Sequence, residues 1–215
     1  MRLQKGERPM TTTHLLFLLA CAGHLVLWRC DWNLTYLAGG RFDFRCLQDN
    51  DRLSAVLGGT PLKQPMGATM VGAFALTAAF PGYLALCRWM EAFSPLCAGL
   101  MLAGCVLFFL PGVAHHVFCG AVEWFYLRLG RTEEAREVIV DFFKGTSATM
   151  FLCYLGLLLF AVSLFVPVVS GATELPRWAC LCNTLPLFLL LSPLRIVGTM
   201  NLVSAVLFFG LFVLV

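Results

Sequence analysis

Apolar residues run in long unbroken blocks along this chain, interrupted by two polar stretches and a few short breaks. A helix crossing a hydrocarbon core of about 30 Å needs around 20 such residues. Six blocks qualify: 11–28, 67–87, 95–118 with apolar character extending to 129, 147–170, 178–194 and 198–215. The first can continue as helix to Leu37, before Gly39-Gly40 ends it. The last two are short and separated only by Arg195-Ile196-Val197, so they form a tight hairpin or one broken helix. A membrane barrel would alternate apolar and polar positions instead. The pattern predicts an all-α fold, one membrane domain over residues 1–215, built as a polytopic bundle of about six transmembrane helices plus one amphipathic surface helix.

The two polar stretches, 38–66 and 131–146, are expected outside the membrane. In the second, Thr132 is a candidate N-cap and Glu133-Glu134 complement the positive helix end. Ala135, Val138, Ile139 and Phe142 share one face, opposite Arg136, Glu137, Asp141 and Lys144. This helix is expected along the membrane surface or packed on the bundle. Within the second apolar block, Ala68, Gly72, Ala75, Ala79 and Gly82 form a one-sided stripe of small residues that lets another helix approach closely. Pro81, Pro111, Pro186 and Pro193 bend helices or line a cavity.

Composition agrees with this layout. Of the 215 residues, 60% are hydrophobic and 13% charged, too few charges to clothe a water-facing surface. That excludes a soluble enzyme, a disordered tail and a nucleic-acid binder; the expected partners are the lipid bilayer and a hydrophobic small molecule. The ten cysteines lie mostly within apolar blocks, where thiols act as small hydrophobes, and Cys180 and Cys182 lack redox or zinc spacing. Arg2, Lys5 and Arg8 precede the first block, which is too long for a signal peptide and lacks a cleavage site, so it reads as a retained span. With six spans, ten of the fifteen Lys and Arg lie on the side holding the long loops, and the positive-inside rule then places both termini outside the cytoplasm, whereas Arg2, Lys5 and Arg8 near the N-terminus argue the reverse.

Ionisable groups inside spans are costly and therefore candidates for function. In the third block, His116 and Glu123 are seven apart, within about 20° of one another around a helix. Gly112 and Gly120 flank His116 and leave room there; His115 points about 100° away, and Trp124 follows Glu123. His24 and Asp31 are also seven apart, at the end of the first block. Two such pairs facing each other would hold a divalent metal or form a proton-handling dyad, with His116 as base or ligand and Glu123 as acid, base or orienter. The alternative is structural: buried, hydrogen-bonded histidines, and Asp31 paired with Arg29 at the interface. A bis-histidine haem would draw on His14 or His24 with His115 or His116, a weaker option than the metal. Asn183 and Asn201 are candidate ligand-binding groups in the last two spans. P-loop, nucleophile-elbow, zincin and dinucleotide motifs are absent.

Together these positions resemble a family of short bacterial multi-pass membrane proteins known as a domain of unknown function. Its members carry an acidic residue closing the first span, a glycine-then-histidine stretch in the third, and an asparagine in the closing hairpin. Asp31, Gly112 to His116, and Asn183 or Asn201 are the matching positions. The resemblance covers most of the chain and implies a bacterial plasma membrane but no activity. A looser similarity, in residue types alone, is to sterol isomerases of the emopamil-binding type, which set His, Glu and Trp around a lipid. Two functions follow as expectations: a membrane protein with a His/carboxylate pocket between the first and third spans that handles a lipid-like substrate, or a non-catalytic binding, transport or scaffold protein.

Overall fold

The computed structural model describes residues 11–215, so the basic residues Arg2, Lys5 and Arg8 lie outside the described part. The fold is all-α: α1 (Thr12–Thr35), α2 (Asn50–Leu57), α3 (Lys63–Glu91), α4 (Pro95–Arg128), α5 (Glu133–Gly145), α6 (Ala148–Ser170), α7 (Thr184–Leu191) and α8 (Thr199–Leu214). The helices α1, α3, α4 and the stretch Glu133–Ser170 containing α6 are long and apolar enough to cross a membrane, which makes this a membrane protein.

Local chemistry sets the helix ends. Thr11 and His14 form a reciprocal capping box at the start of α1. Ser94 caps α4, where Pro95 occupies the first turn, and Thr132 caps α5 by accepting from the Ala135 amide at 3.2 Å. Gly171, in the left-handed conformation, closes α6. Pro81, Pro111 and Pro167 sit inside helices without ending them.

The bundle is a chain of antiparallel contacts. On one side α1 packs against α8 and α3; on the other, α4 packs against α3 and α6. Small residues make these approaches possible. A Cβ on Gly23 would lie 2.7 Å from the Ala75 carbonyl oxygen, and one on Gly82 would meet Ala20 at 2.6 Å. Gly104 and Gly156 do the same for α4 and α6. The stripe on α3 thus serves two neighbours: Ala75, Ala79 and Gly82 receive α1, whereas Ala68 and Gly72 receive α4.

Two parts depart from the sequence expectation. Residues 178–194 do not form one helix: a 3-10 turn (Arg177–Cys182) leads to α7, then a second 3-10 turn (Ser192–Leu194). Asn183 causes the first break, because its side chain caps α7 by accepting from the Leu185 amide at 2.9 Å. The stretch 38–66 is also more ordered than a loop. Strands β1 (Tyr36–Leu37) and β2 (Gly40–Arg41) form a tight hairpin, α2 follows, and α3 already begins at Lys63. This segment joins α5 in a cap over one end of the bundle. Cys46, Leu53, Leu57, Ala135 and Ile139 bury themselves against Val122 and Tyr126 of α4. Tyr126 donates to Asn50 Oδ1 at 2.6 Å, and Arg136 to the Leu47 carbonyl at 2.8 Å. Of the apolar face read on α5, Ala135 and Ile139 are buried, whereas Val138 and Phe142 stay exposed.

Candidate functional site

Helices α1 and α4 barely touch, because α3 stands between them on one side. The gap is a cavity of about 480 Å³ under the cap. Its walls come from α1, α4, α6 and α8, with Phe42, Phe44 and Phe143 at the cap end. Leu27, Leu76, Phe108 and Leu157 make the inner wall apolar. Polar groups are few: Asp31, His115, His116, Cys119, Glu123 and Asn201 carry most of them.

The expected pairings are rearranged. His24 and Asp31 share a face of α1, but Asn201 of α8 spans the gap between them. An ionised Asp31 can only accept, so the Asn201 amide nitrogen must face it, and donates to Oδ2 at 2.8 Å. The Asn201 carbonyl then faces His24, whose Nδ1–H donates to it at 3.0 Å. His24 Nε2 is left as an acceptor and takes the Tyr83 hydroxyl at 2.8 Å. With both ring nitrogens engaged, and the ring stacked between Phe108 and Phe208, His24 has no atom free for a metal or haem. His14 lies toward the opposite end against Phe212, about 25 Å along α1 from Asp31. The bis-histidine haem geometry is therefore not formed.

Asp31 meets α4 rather than Arg29. Its Oδ1 stands 3.8 Å from His116 Nδ1. Among the described residues, the ion pairs are Arg52 with Asp43 and Arg136 with Glu133. Asp31 also abuts the first turn of α8, where Gly198 adopts φ +65° and a Cβ would lie 2.7 Å from Oδ2. The positive helix end suits the carboxylate. Trp28 fixes the same turn by donating to the Val197 carbonyl at 2.8 Å.

His116 is held in one tautomer. Its Nε2–H donates to the Ala68 carbonyl at 3.1 Å, across the space that Gly72 leaves open. The neutral ring thus turns the Nδ1 lone pair toward Asp31, and 3.8 Å between two acceptors is too far for a hydrogen bond. Gly120 does not leave ligand space beside it, since Thr69 of α3 occupies that position. Gly112 does border the cavity, next to Cys153.

Glu123 lies two turns farther along α4, about 10 Å from His116. It borders the cavity, is 5% exposed, and its Oε2 is fully buried without a hydrogen-bond partner. His115 faces α6, near Cys119 Sγ at 3.6 Å and Thr149 Oγ1 at 3.5 Å. Two expected members fall elsewhere. Trp124 packs edge-on against Phe125 outside the cavity lining. Asn183 caps α7 and donates to the Ala161 carbonyl at 3.0 Å, a structural role away from the cavity. Among the described residues, no three His, Cys, Asp or Glu side chains converge as a metal site.

Sequence reading missed Tyr83 and Gly198. A tyrosine in an apolar block does carry a signal, since its buried hydroxyl needs a partner. No curated protein and no solved structure matches the chain. Residues 66–212, which include His116, Glu123 and Asn201, match the model for a family of unknown function (DUF6796), and the chain belongs to that family.

Proposed function

We propose that this protein takes a hydrophobic, lipid-like molecule from the bilayer into the cavity between α1, α4, α6 and α8, and handles its polar end at Asp31, His116 and Glu123. One observation carries the reading: Glu123 borders the cavity with a buried carboxylate oxygen that has no protein partner. Burying such a group costs several kcal/mol unless something satisfies it. The cavity volume falls within the roughly 300–1,000 Å³ typical of small-molecule sites, with mostly apolar walls and few polar groups. In this reading His116 is the candidate base, because its tautomer turns a lone pair into the site, and the Ala68 carbonyl, which takes Nε2–H, orients it.

The non-catalytic alternative has its own support. Asp31 and Asn201 brace the first turn of α8, and His24 ties α1 to α3, so this network has a structural task without any reaction. In either case the reading puts the protein in a bacterial plasma membrane. The cap would face the cytoplasm and both termini would face away, since ten of the fifteen Lys and Arg gather at the cap end.

The test is the lipid that accompanies the purified protein. The native chain should retain a bound amphiphile in near-stoichiometric amount through gentle extraction. Ser204→Leu, which places a bulky side chain at a cavity-lining position of α8, should lose it while the protein remains folded. Equal lipid content in both proteins would sink the reading.

A further inference from the structure

The ionisable groups facing the cavity share a property that narrows the ligand: Asp31, His116 and Glu123 each present an acceptor without a protein donor, and the unpartnered hydroxyl beside them, Ser204, is neutral. Asp31 Oδ1 and His116 Nδ1 face each other at 3.8 Å with no donor between them. The Glu123 carboxylate has a buried oxygen that accepts from no donor. Among the described residues no Lys or Arg borders the cavity, and the third carboxylate there, Asp43, is tied to Arg52 at 3.4 Å. A head group that also accepts, such as a carboxylate or phosphate, would add like charge to like charge. A hydroxyl would satisfy one acceptor and bring another lone pair. A primary ammonium has three donors, no acceptor and the opposite charge.

The cap end supports the same choice. Phe42, Phe44 and Phe143 gather at the cavity mouth on the side where Glu123 lies, and aromatic faces attract a cation that passes or rests near them. Deeper in, Leu27, Leu76, Phe108 and Leu157 offer only apolar contact, suited to an alkyl tail.

Resting on the amphiphile reading given above, we infer that the ligand is a cationic amphiphile, a long-chain primary amine whose ammonium binds the Glu123 carboxylate beneath the aromatic mouth while its tail lies along the apolar wall. Charge and donor count select the head, and the apolar wall selects the tail.

The experiment compares dodecylamine, dodecanol, dodecanoate and dodecyltrimethylammonium, binding each to the full chain in lipid nanodiscs at neutral pH. Dodecylamine should bind about tenfold or more tightly than dodecanol, as a charge-assisted hydrogen bond predicts. Dodecyltrimethylammonium, which keeps the charge but has no N–H, should bind more weakly than the amine. Glu123→Gln should erase most of the amine preference yet leave dodecanol binding unchanged, which separates head-group recognition from unfolding. Alcohol binding equal to amine binding would overturn the ammonium inference and leave the amphiphile reading standing. Trimethylammonium binding equal to the amine would overturn the requirement for N–H donors. Failure of every probe to bind would overturn both readings.

Discussion

Gly72 on α3 lies directly beneath the imidazole of His116 on α4, and a Cβ at residue 72 would overlap the ring at Nε2. The absence of a side chain at one position therefore fixes the tautomer and tilt of another. Gly72→Ala should push the ring off the Ala68 carbonyl and destabilise the protein by about 1–3 kcal/mol, the usual range for overpacking. Gly99→Ala is the control, since a Cβ there meets nothing within 4 Å. Thermal unfolding in detergent should separate the two. Equal melting temperatures would mean that the ring can move at no cost.

Tyr83→Phe removes one hydroxyl from a fully buried site while keeping the aromatic packing on Phe160 and Phe208. It strands the His24 Nε2 lone pair, at a cost of about 1–3 kcal/mol. Asn201→Ala strands both His24 Nδ1 and Asp31 Oδ2 and should cost more. Because the groups form one network, the double variant should fall short of the sum by about 0.5–3 kcal/mol. Strict additivity in chemical unfolding would contradict the relay from Tyr83 to Asp31.

Glu123→Leu should raise the stability of the ligand-free protein. The native carboxylate is buried without a partner, and replacing such a group by an apolar one removes its desolvation cost. The same change should abolish amphiphile retention. A protein more stable than the native one but empty would place Glu123 among groups kept for binding, and a less stable variant would assign it a structural role.

The cap should loosen in acid. Arg136, hydrogen-bonded to Glu133, holds that carboxyl below its ordinary value. A lowered value means that the pair contributes at neutral pH, and that the contribution is lost as pH falls through and below the usual range near about 4.3. Glu133 is exposed and Arg136 only partly covered, so the effect is small. Spin labels on α5 and on the 3-10 turn Phe44–Gln48, which carries Leu47, should report a broader distance distribution at low pH. Arg136→Gln, which also removes the bond to Leu47, should show that broadening already at neutral pH. An unchanged distribution in both cases would refute the tether.

Helix positions were legible because apolar runs, Pro95 and Thr132 act locally. The faces were legible too: His24 and Asp31 do lie together on α1, and His116 and Glu123 both border the cavity. What no local pattern encodes is which neighbour fills the space between two residues on one face. Asn201 meets His24 from 177 positions away, and Tyr83 meets it from 59. The glycines were harder to read. Gly72 and Gly120 look equivalent as small residues, yet one accommodates an imidazole and the other a threonine. The break at Asn183 was hidden because an asparagine in an apolar run reads equally as a cap or as a ligand.

Asp31 is synthesised 170 residues before Asn201, the side chain that donates to it. On the ribosome, α1 therefore reaches the bilayer with an acidic group whose donor does not yet exist. That group must wait near the surface, in water, or against the insertion machinery until α8 arrives. Late docking of α8 would then double as a maturation step. Chains stalled before it would display an unsatisfied carboxylate inside lipid, a feature that membrane quality control can detect.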